Sequence, residues 1–421
     1  MINDHKHNYA QTYKLAIDAR FYNMENKGLG RYTNELVNHL DDILYQEEKS
    51  AQECFCADKS NKSIQSFNAI STCYIFLRHD DFVNFQPRSK RIHKVKADFQ
   101  WYTWQEQIKF PLLLRKYKPD LMHFPHFNVP LLYSGKFIVT IHDLILFHYP
   151  TIKNTTLNKF FYFFKLSAYH FLIRIVVKRA QQIIAISRFT KNDLIRTLKV
   201  KPEKIKVIYE GVEFYSLKFN KTTKTTEIND TDEIFQKYGI IKPYILYVGN
   251  AYPHKNLLKL IKAFSKACQE ENTADFQLVL VGKKDYFYKR LKQYVNQNNI
   301  QNIVITDYMP DEELEIIYKK ARAFIFPSLY EGFGLPPLEA LVRDIPVVSS
   351  SAQPMPEVLK DKVTYFDPKD DKEMVLAIRN IFHNKNLKTI SKQDQEKICQ
   401  QFSWHKMAEE IYCMYKTILF K

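Results

Sequence analysis

Twice along this chain, short apolar runs rich in β-branched residues alternate with longer stretches of helical pattern. The first series falls at 14–20, 120–124, 137–141 and 182–186, and the second at 244–248, 277–281, 303–305, 323–326 and 346–348. Short buried strands separated by helices imply parallel sheets with crossover helices. At 216–232 Lys, Thr, Asn and Asp displace the apolar residues, which reads as a linker. A chain of 421 residues is also too long for one ordinary core. The expected organisation is a Rossmann-like domain over 14–215, a linker region over 216–241, a second Rossmann-like domain over 242–402 and a helix over 403–421. That helix has Trp404, Ile411, Met414 and Ile418 on its apolar side. Both domains are expected to be doubly wound α/β. Such sheets bind ligands at the carboxyl ends of their strands, so the default site is a cleft between the domains.

Within the first domain, a glycine turn is expected at Gly28 and Gly30, followed by a helix from about Arg31 to Leu44. Its apolar side carries Leu36, Val37, Leu40, Ile43 and Leu44.

The formal charge of +16 favours anionic partners without choosing among nucleic acid, anionic lipid and phosphorylated substrates. The six cysteines show no C-x-x-C spacing, which fits reduced thiols better than zinc or disulfides. Residues 1–13 lack the apolar core of a signal peptide, and no run reaches a membrane span. The expected location is the cytoplasm, extending to the inner face of the plasma membrane.

The run E-G-F-G-L-P-P-L-E from Glu331 to Glu339 directly follows the strand at 323–326. Gly332 and Gly334 permit close backbone approach, and Pro336 or Pro337 suits the first turn of a helix. Free N–H groups at such a terminus suit a phosphate. Glu331 and Glu339 can accept hydrogen bonds from hydroxyls, one from a sugar and one from a ribose. Lys255, six residues beyond Gly249, can neutralise a leaving diphosphate. His142 and Asp143 close the strand at 137–141. Ser187 reads equally as a cleft residue and as a helix N-cap. The only D-x-D, Asp230-Thr-Asp232, falls in the polar linker and reads as a solvated charge run, so no metal is expected.

These segments resemble the retaining glycosyltransferases of family four, which have the GT-B fold, and the likeness runs from about Lys14 to Leu419. The resemblance implies that Glu331 contacts hydroxyls of the donor sugar and Glu339 the donor ribose. It places the amides of Gly334 and Leu335 on the diphosphate, with Gly332 and Phe333 in the same loop. Lys255 matches the family's phosphate lysine, while His254 stands where an arginine is more usual. Gly28 and Gly30 match the first-domain glycine loop, and His142 a histidine near the donor sugar. Asp307-Tyr308 replaces a glycine-led step beside the base pocket, which puts Tyr308 among the donor residues. His126 and Asn128 lie in a loop similar to the acceptor loop of bacterial mannosyltransferases of polysaccharide and O-antigen assembly. The segment from Ile186 through Glu210 and Gly211 matches the end of the family's first domain, and the 403–421 helix is expected to return to that domain.

The implied reaction moves a hexose, first mannose from GDP-mannose, to a glycan or lipid-linked acceptor with retention. It needs no cofactor beyond the nucleotide sugar. Two alternatives stay open: a UDP-sugar transferase of the same fold, and a basic nucleic-acid-binding protein without transferase activity. No recognised nucleic-acid module is present, and none explains the glutamates. Two further segments could meet an anionic membrane. The aromatic and basic stretch at 157–179 is equally well read as an amphipathic core helix. The basic run from Arg88 to Arg91, with Lys94 and Lys96, reads first as a solvated loop.

Overall fold

The alternation folds as two all-parallel sheets. The computed structural model describes residues 11–22, 27–57, 69–150, 159–212, 231–385 and 387–420. The first sheet has seven strands: β1 (Thr12–Asp18), β2 (Ala69–Leu77), β3 (Ile92–Lys96), β4 (Leu121–Phe124), β5 (Phe137–Ile141), β6 (Gln182–Ala185) and β7 (Ile205–Val207), in the order β3-β2-β1-β4-β5-β6-β7. The second has six: β8 (Tyr244–Val248), β9 (Gln277–Val281), β10 (Ile303–Thr306), β11 (Ala323–Phe326), β12 (Val347–Ser350) and β13 (Thr364–Phe366), in the order β10-β9-β8-β11-β12-β13. Each sheet winds outward both ways from its first strand, so crevices open beyond the β1/β4 and β8/β11 ends.

β4 and β5 are buried along their whole length, as are β9, β11 and β12, because helices cover both faces. The helix Lys27–Ala57 lays Tyr32, Leu36, Val37, Leu40 and Leu44 against the first sheet. The helix Trp404–Leu419, N-capped by the Ser403 hydroxyl, packs on that same helix rather than on the second domain. There the Tyr412 hydroxyl donates to Glu47 at 2.7 Å, and the Tyr415 hydroxyl sits 2.6 Å from His123 Nδ1 on β4.

Several sequence expectations are corrected. Gly28 and Gly30 form the first turn of the helix Lys27–Ala57, not a turn before it. That helix also runs well past Leu44. β1 ends at Asp18, and Arg20 folds back to bind it. Residues 213–230 lie outside the described residues, so Asp230 does too. Asp232, however, opens the helix Thr231–Tyr238, where acids complement the helix dipole. The run at 88–91 is a loop with Arg88 and Lys90 exposed, and its arginines are tied to a neighbouring helix. Arg88 pairs with Asp41 and Asp42, and Arg91 with Glu47 and Glu48, all on the helix Lys27–Ala57. The helix Lys159–Arg179 buries Ile173, Val176 and Val177 yet leaves Phe164 and Phe171 exposed. The buried face is that of a core helix, and the exposed aromatics lie on the opposite face. Among the described residues no helix is long and apolar enough to cross a membrane.

Candidate active site

Two loops from the second sheet and three from the first meet between the domains. After β8 a single 3-10 turn, Pro253–Lys255, brings Lys255 over the Phe326 ring at the end of β11. Its Nζ lies 2.5 Å from Glu331 Oε1, and both side chains are nearly buried at 12% and 10% exposure. The turn is tied down by the His254 carbonyl, which accepts the Leu329 N–H at 2.8 Å. His254 itself is buried and neutral. Burial, with Lys255 adding repulsion, pushes its pKa down to about 4. It supplies no second positive charge.

The loop after β11 depends on its glycines. A Cβ on Gly332 would sit 2.2 Å from the His142 carbonyl oxygen, so only glycine allows the two backbones to touch. Gly334, at φ +96°, is left-handed and N-caps the helix Leu335–Leu341. Pro336 and Pro337 have no N–H, so the donors that this first turn can offer to an anion are those of Gly334 and Leu335. Phe333 turns inward and packs on Phe402 and Tyr209.

The first domain grips this loop. The Ser187 hydroxyl donates to the Gly332 carbonyl at 2.7 Å while accepting the Thr190 N–H at 3.0 Å, so Ser187 is both cleft residue and N-cap. The Tyr330 hydroxyl reaches Asp193 at 2.5 Å, and Asp193 also holds His148 Nε2 at 2.8 Å. Glu357 crosses from the second domain to accept the N–H groups of Arg188 and Phe189 at 2.7 and 2.9 Å, capping a first-domain helix.

His142 follows β5 with both ring nitrogens engaged: Nδ1 at 3.1 Å from Glu210 Oε1 and Nε2 at 2.9 Å from the Pro125 carbonyl. An imidazole between two acceptors serves both only with both N–H groups in place. Burial opposes that charge, but the hydrogen bond and charge of Glu210 and the Pro125 carbonyl outweigh it, and the pKa is raised. Asp143 accepts the Ile145 N–H at 2.9 Å. Its pKa is raised by burial and further by Glu331, with His142 and Lys255 opposing. Lys255, Glu331, Gly332, His142, Asp143 and Ser187 therefore share one site.

Glu339 stands on the helix Leu335–Leu341 and is held by the Arg31 guanidinium, from the turn that contains Gly28 and Gly30. Sequence reasoning missed this arginine, and its only signal is its place after Gly30. It also missed Glu210 as the partner of His142. Gly249 ends β8 with its carbonyl accepting the Tyr288 hydroxyl at 2.8 Å. Tyr308 is exposed beyond the edge strand β10 and is not brought to this cluster.

In the loop after β4, expected to meet the acceptor, Asn128 donates to Glu106 at 2.7 Å. Glu106 in turn binds Arg20 at 2.7 Å, and Arg20 forks onto Asp18. This buried chain fixes the loop after β4. His126 lies against Phe127 and Phe21, its pKa pushed down to about 3 by burial and the neighbouring His142 charge, and its Nδ1 is buried without a partner.

The comparisons with known proteins match this arrangement. Residues 73–214 fit the family model Glycosyltransferase Family 4, and residues 230–397 fit Glycosyl transferases group 1, so the two models span most of both domains. The chain is a glycosyltransferase of these families. This transferase is 29% identical over 282 residues to the O-antigen chain mannosyltransferase RfbU of Salmonella typhimurium, covering 67% of the chain and 70% of that relative. It is 27% identical over 315 residues to O-antigen chain mannosyltransferase B of Escherichia coli, covering 72% and 76%. Among solved structures, the transferase shares its fold with a sucrose-phosphate synthase from Thermosynechococcus elongatus (TM-score 0.67, 17% identity, 97% and 99% covered). Anabaena HepE, solved with UDP and glucose, is similar at TM-score 0.63 and 16% identity, with 96% and 100% covered.

Proposed function

We propose that this glycosyltransferase moves a mannosyl residue from GDP-mannose to a glycan or lipid-linked glycan acceptor with retention of configuration. The observation that carries a sugar-nucleotide donor is the buried Lys255–Glu331 pair at the mouth of the β8/β11 crevice. Mannose is supported by the names of the relatives, which are O-antigen mannosyltransferases. The donor diphosphate lies against the Gly334 and Leu335 amides, and Lys255 takes up the charge that builds as the glycosidic bond breaks. Glu331 accepts from the sugar hydroxyls, and Glu339 from the ribose. The acceptor hydroxyl attacks from the leaving-group face, and the departing phosphate takes its proton. No step calls for a metal ion, so activity should survive chelation.

A thermal-shift panel of GDP-, UDP- and dTDP-sugars on the wild type and Lys255→Ala tests this reading. GDP-mannose should stabilise the wild type and not the variant. A shift with a UDP-sugar alone replaces the donor. No shift with any nucleotide sugar, together with salt-dependent binding to nucleic acid, overturns the proposal.

A further inference from the structure

The helix Trp104–Tyr117 carries apolar residues on its solvent side. Trp104 is 85% exposed, and Ile108 and Leu112 are each more than half exposed. The spacing of four residues puts all three on one face, opposite the buried Phe110 and Leu114. Core packing does not explain this stripe.

Two neighbouring segments extend it. Gln107 Oε1 accepts the Leu131 N–H at 2.9 Å, which sets the exposed Leu131 and Leu132 beside the helix. Arg179 then donates to the Leu131 carbonyl at 2.8 Å and to the Tyr133 carbonyl, joining the helix Lys159–Arg179 to the same loop. On that helix Phe164 is 70% exposed, and Phe171, seven residues on, is also mostly exposed. Isolated exposed apolar residues are ordinary, but three hydrogen-bonded segments that each expose large ones form a patch.

Charge decides what the patch meets. Across 104–117, 131–136 and 163–179 the one acid is Glu106, which is buried and bound to Arg20. The same segments carry Lys109, Arg115, Lys116, Lys165 and Lys178, all exposed. A protein partner of ordinary mixed surface needs no such one-signed rim. An anionic bilayer does, with aromatic and aliphatic tips entering the headgroup boundary and cations on the phosphates. The patch also reaches the acceptor loop, because the exposed Tyr102 lies against His126 and Phe127, and Phe127 packs on Tyr169 of the second helix.

We propose that the exposed faces of the helices Trp104–Tyr117 and Lys159–Arg179, bridged by Leu131 and Leu132, dock this protein on an anionic membrane. The proposal does not depend on which sugar or acceptor is used, and it is tested without either.

The test is flotation of the full chain with vesicles of phosphatidylcholine alone, or with about one-third phosphatidylglycerol. The variants are Trp104→Ser/Ile108→Ser/Leu112→Ser and Phe164→Ser/Phe171→Ser, with Ile241→Ser as an exposed apolar control on the other domain. The wild type should partition onto the anionic vesicles about tenfold more than onto neutral ones, and release at high salt. Each patch variant should lose about tenfold of that partitioning while keeping the wild-type melting curve, and Ile241→Ser should behave as wild type. The fluorescence of Trp104 should shift to the blue on anionic vesicles and not on neutral ones. The proposal is overturned if the wild type does not float with anionic vesicles, or if the triple variant floats as well as wild type. It is also overturned if the patch variants instead abolish a lipid-independent dimer.

Discussion

The Ser187 hydroxyl and the Gly332 carbonyl, 145 positions apart in sequence, are joined by a buried 2.7 Å hydrogen bond. It runs between domains, from a helix cap in the first to the loop after β11 in the second. Ser187→Ala should cost about 1 kcal/mol of stability. It should lower kcat/KM for the donor about tenfold by loosening the loop that carries Glu331. A steady-state comparison with wild type checks this, and unchanged kcat/KM would remove the grip from the account.

Gly332→Ala should be more severe. The added Cβ meets a backbone oxygen at 2.2 Å, which cannot rotate away. The loop or the His142 strand end has to retreat. We expect at least about a 100-fold loss of kcat, with the protein still folded by circular dichroism.

Lys255→Ala removes the cation proposed to face the leaving group and leaves Glu331 nearly buried and unpaired. Turnover should fall by about 100- to 1,000-fold. Lys255→Arg should recover only part of it, since a planar fork does not reproduce an ammonium at 2.5 Å from one carboxylate oxygen. Full activity in the alanine variant would refute the assigned role.

Arg31→Ala should act on binding rather than chemistry. Arg31 holds the Glu339 carboxylate in place from the opposite domain. Its loss should raise the donor KM several-fold and leave kcat near wild type, which initial-rate measurements over donor concentration resolve.

The buried histidines set an acid limit. His123 is neutral between the Tyr415 and Thr140 hydroxyls, its pKa lowered to about 3 by burial and then by the neighbouring His142 charge. The folded value lies below the unfolded one, near 6.5, so stability is full above about pH 6.5 and is lost as pH falls towards 3. By about pH 4.5 the cost is on the order of 2–3 kcal/mol. His142 has the opposite sign: its raised pKa stabilises below the ordinary histidine value, and that contribution fades as pH rises through the folded one. Thermal melts of wild type and His123→Asn from pH 7 to 4.5 should diverge, the variant losing less. Parallel curves would contradict the assignment.

Among the strands that sequence reading found are those buried on both faces, such as β5 and β9, where every residue is buried and only Thr140 and Gln277 are polar. Those it missed are less uniform. β3 is an edge strand with His93 and Lys96 exposed and Lys94 turned onto the Phe82 and Phe85 carbonyls, and β2 interleaves Ser71 and Thr72 with its apolar residues. Glu331, Lys255 and Gly334 were legible because backbone chemistry and charge recur at fixed spacing around a strand end. Arg31 with Glu339, and His142 with Glu210, were not, because nothing local to either residue specifies a partner 308 or 68 positions away. The stripe of Trp104, Ile108 and Leu112 has the period of a core face, and only solvent exposure shows that it faces out.

The packing of Trp404–Leu419 on the helix Lys27–Ala57 has a consequence for how the chain is made. During synthesis the first sheet leaves the ribosome early, but the helix that covers its Lys27–Ala57 flank emerges only after the whole second sheet. Until then His123 lacks its Tyr415 partner and the apolar side of the final helix is missing. The first domain thus waits, partly uncovered, for the second to be translated. The two halves of the cleft reach their finished state together rather than in the order in which they are encoded.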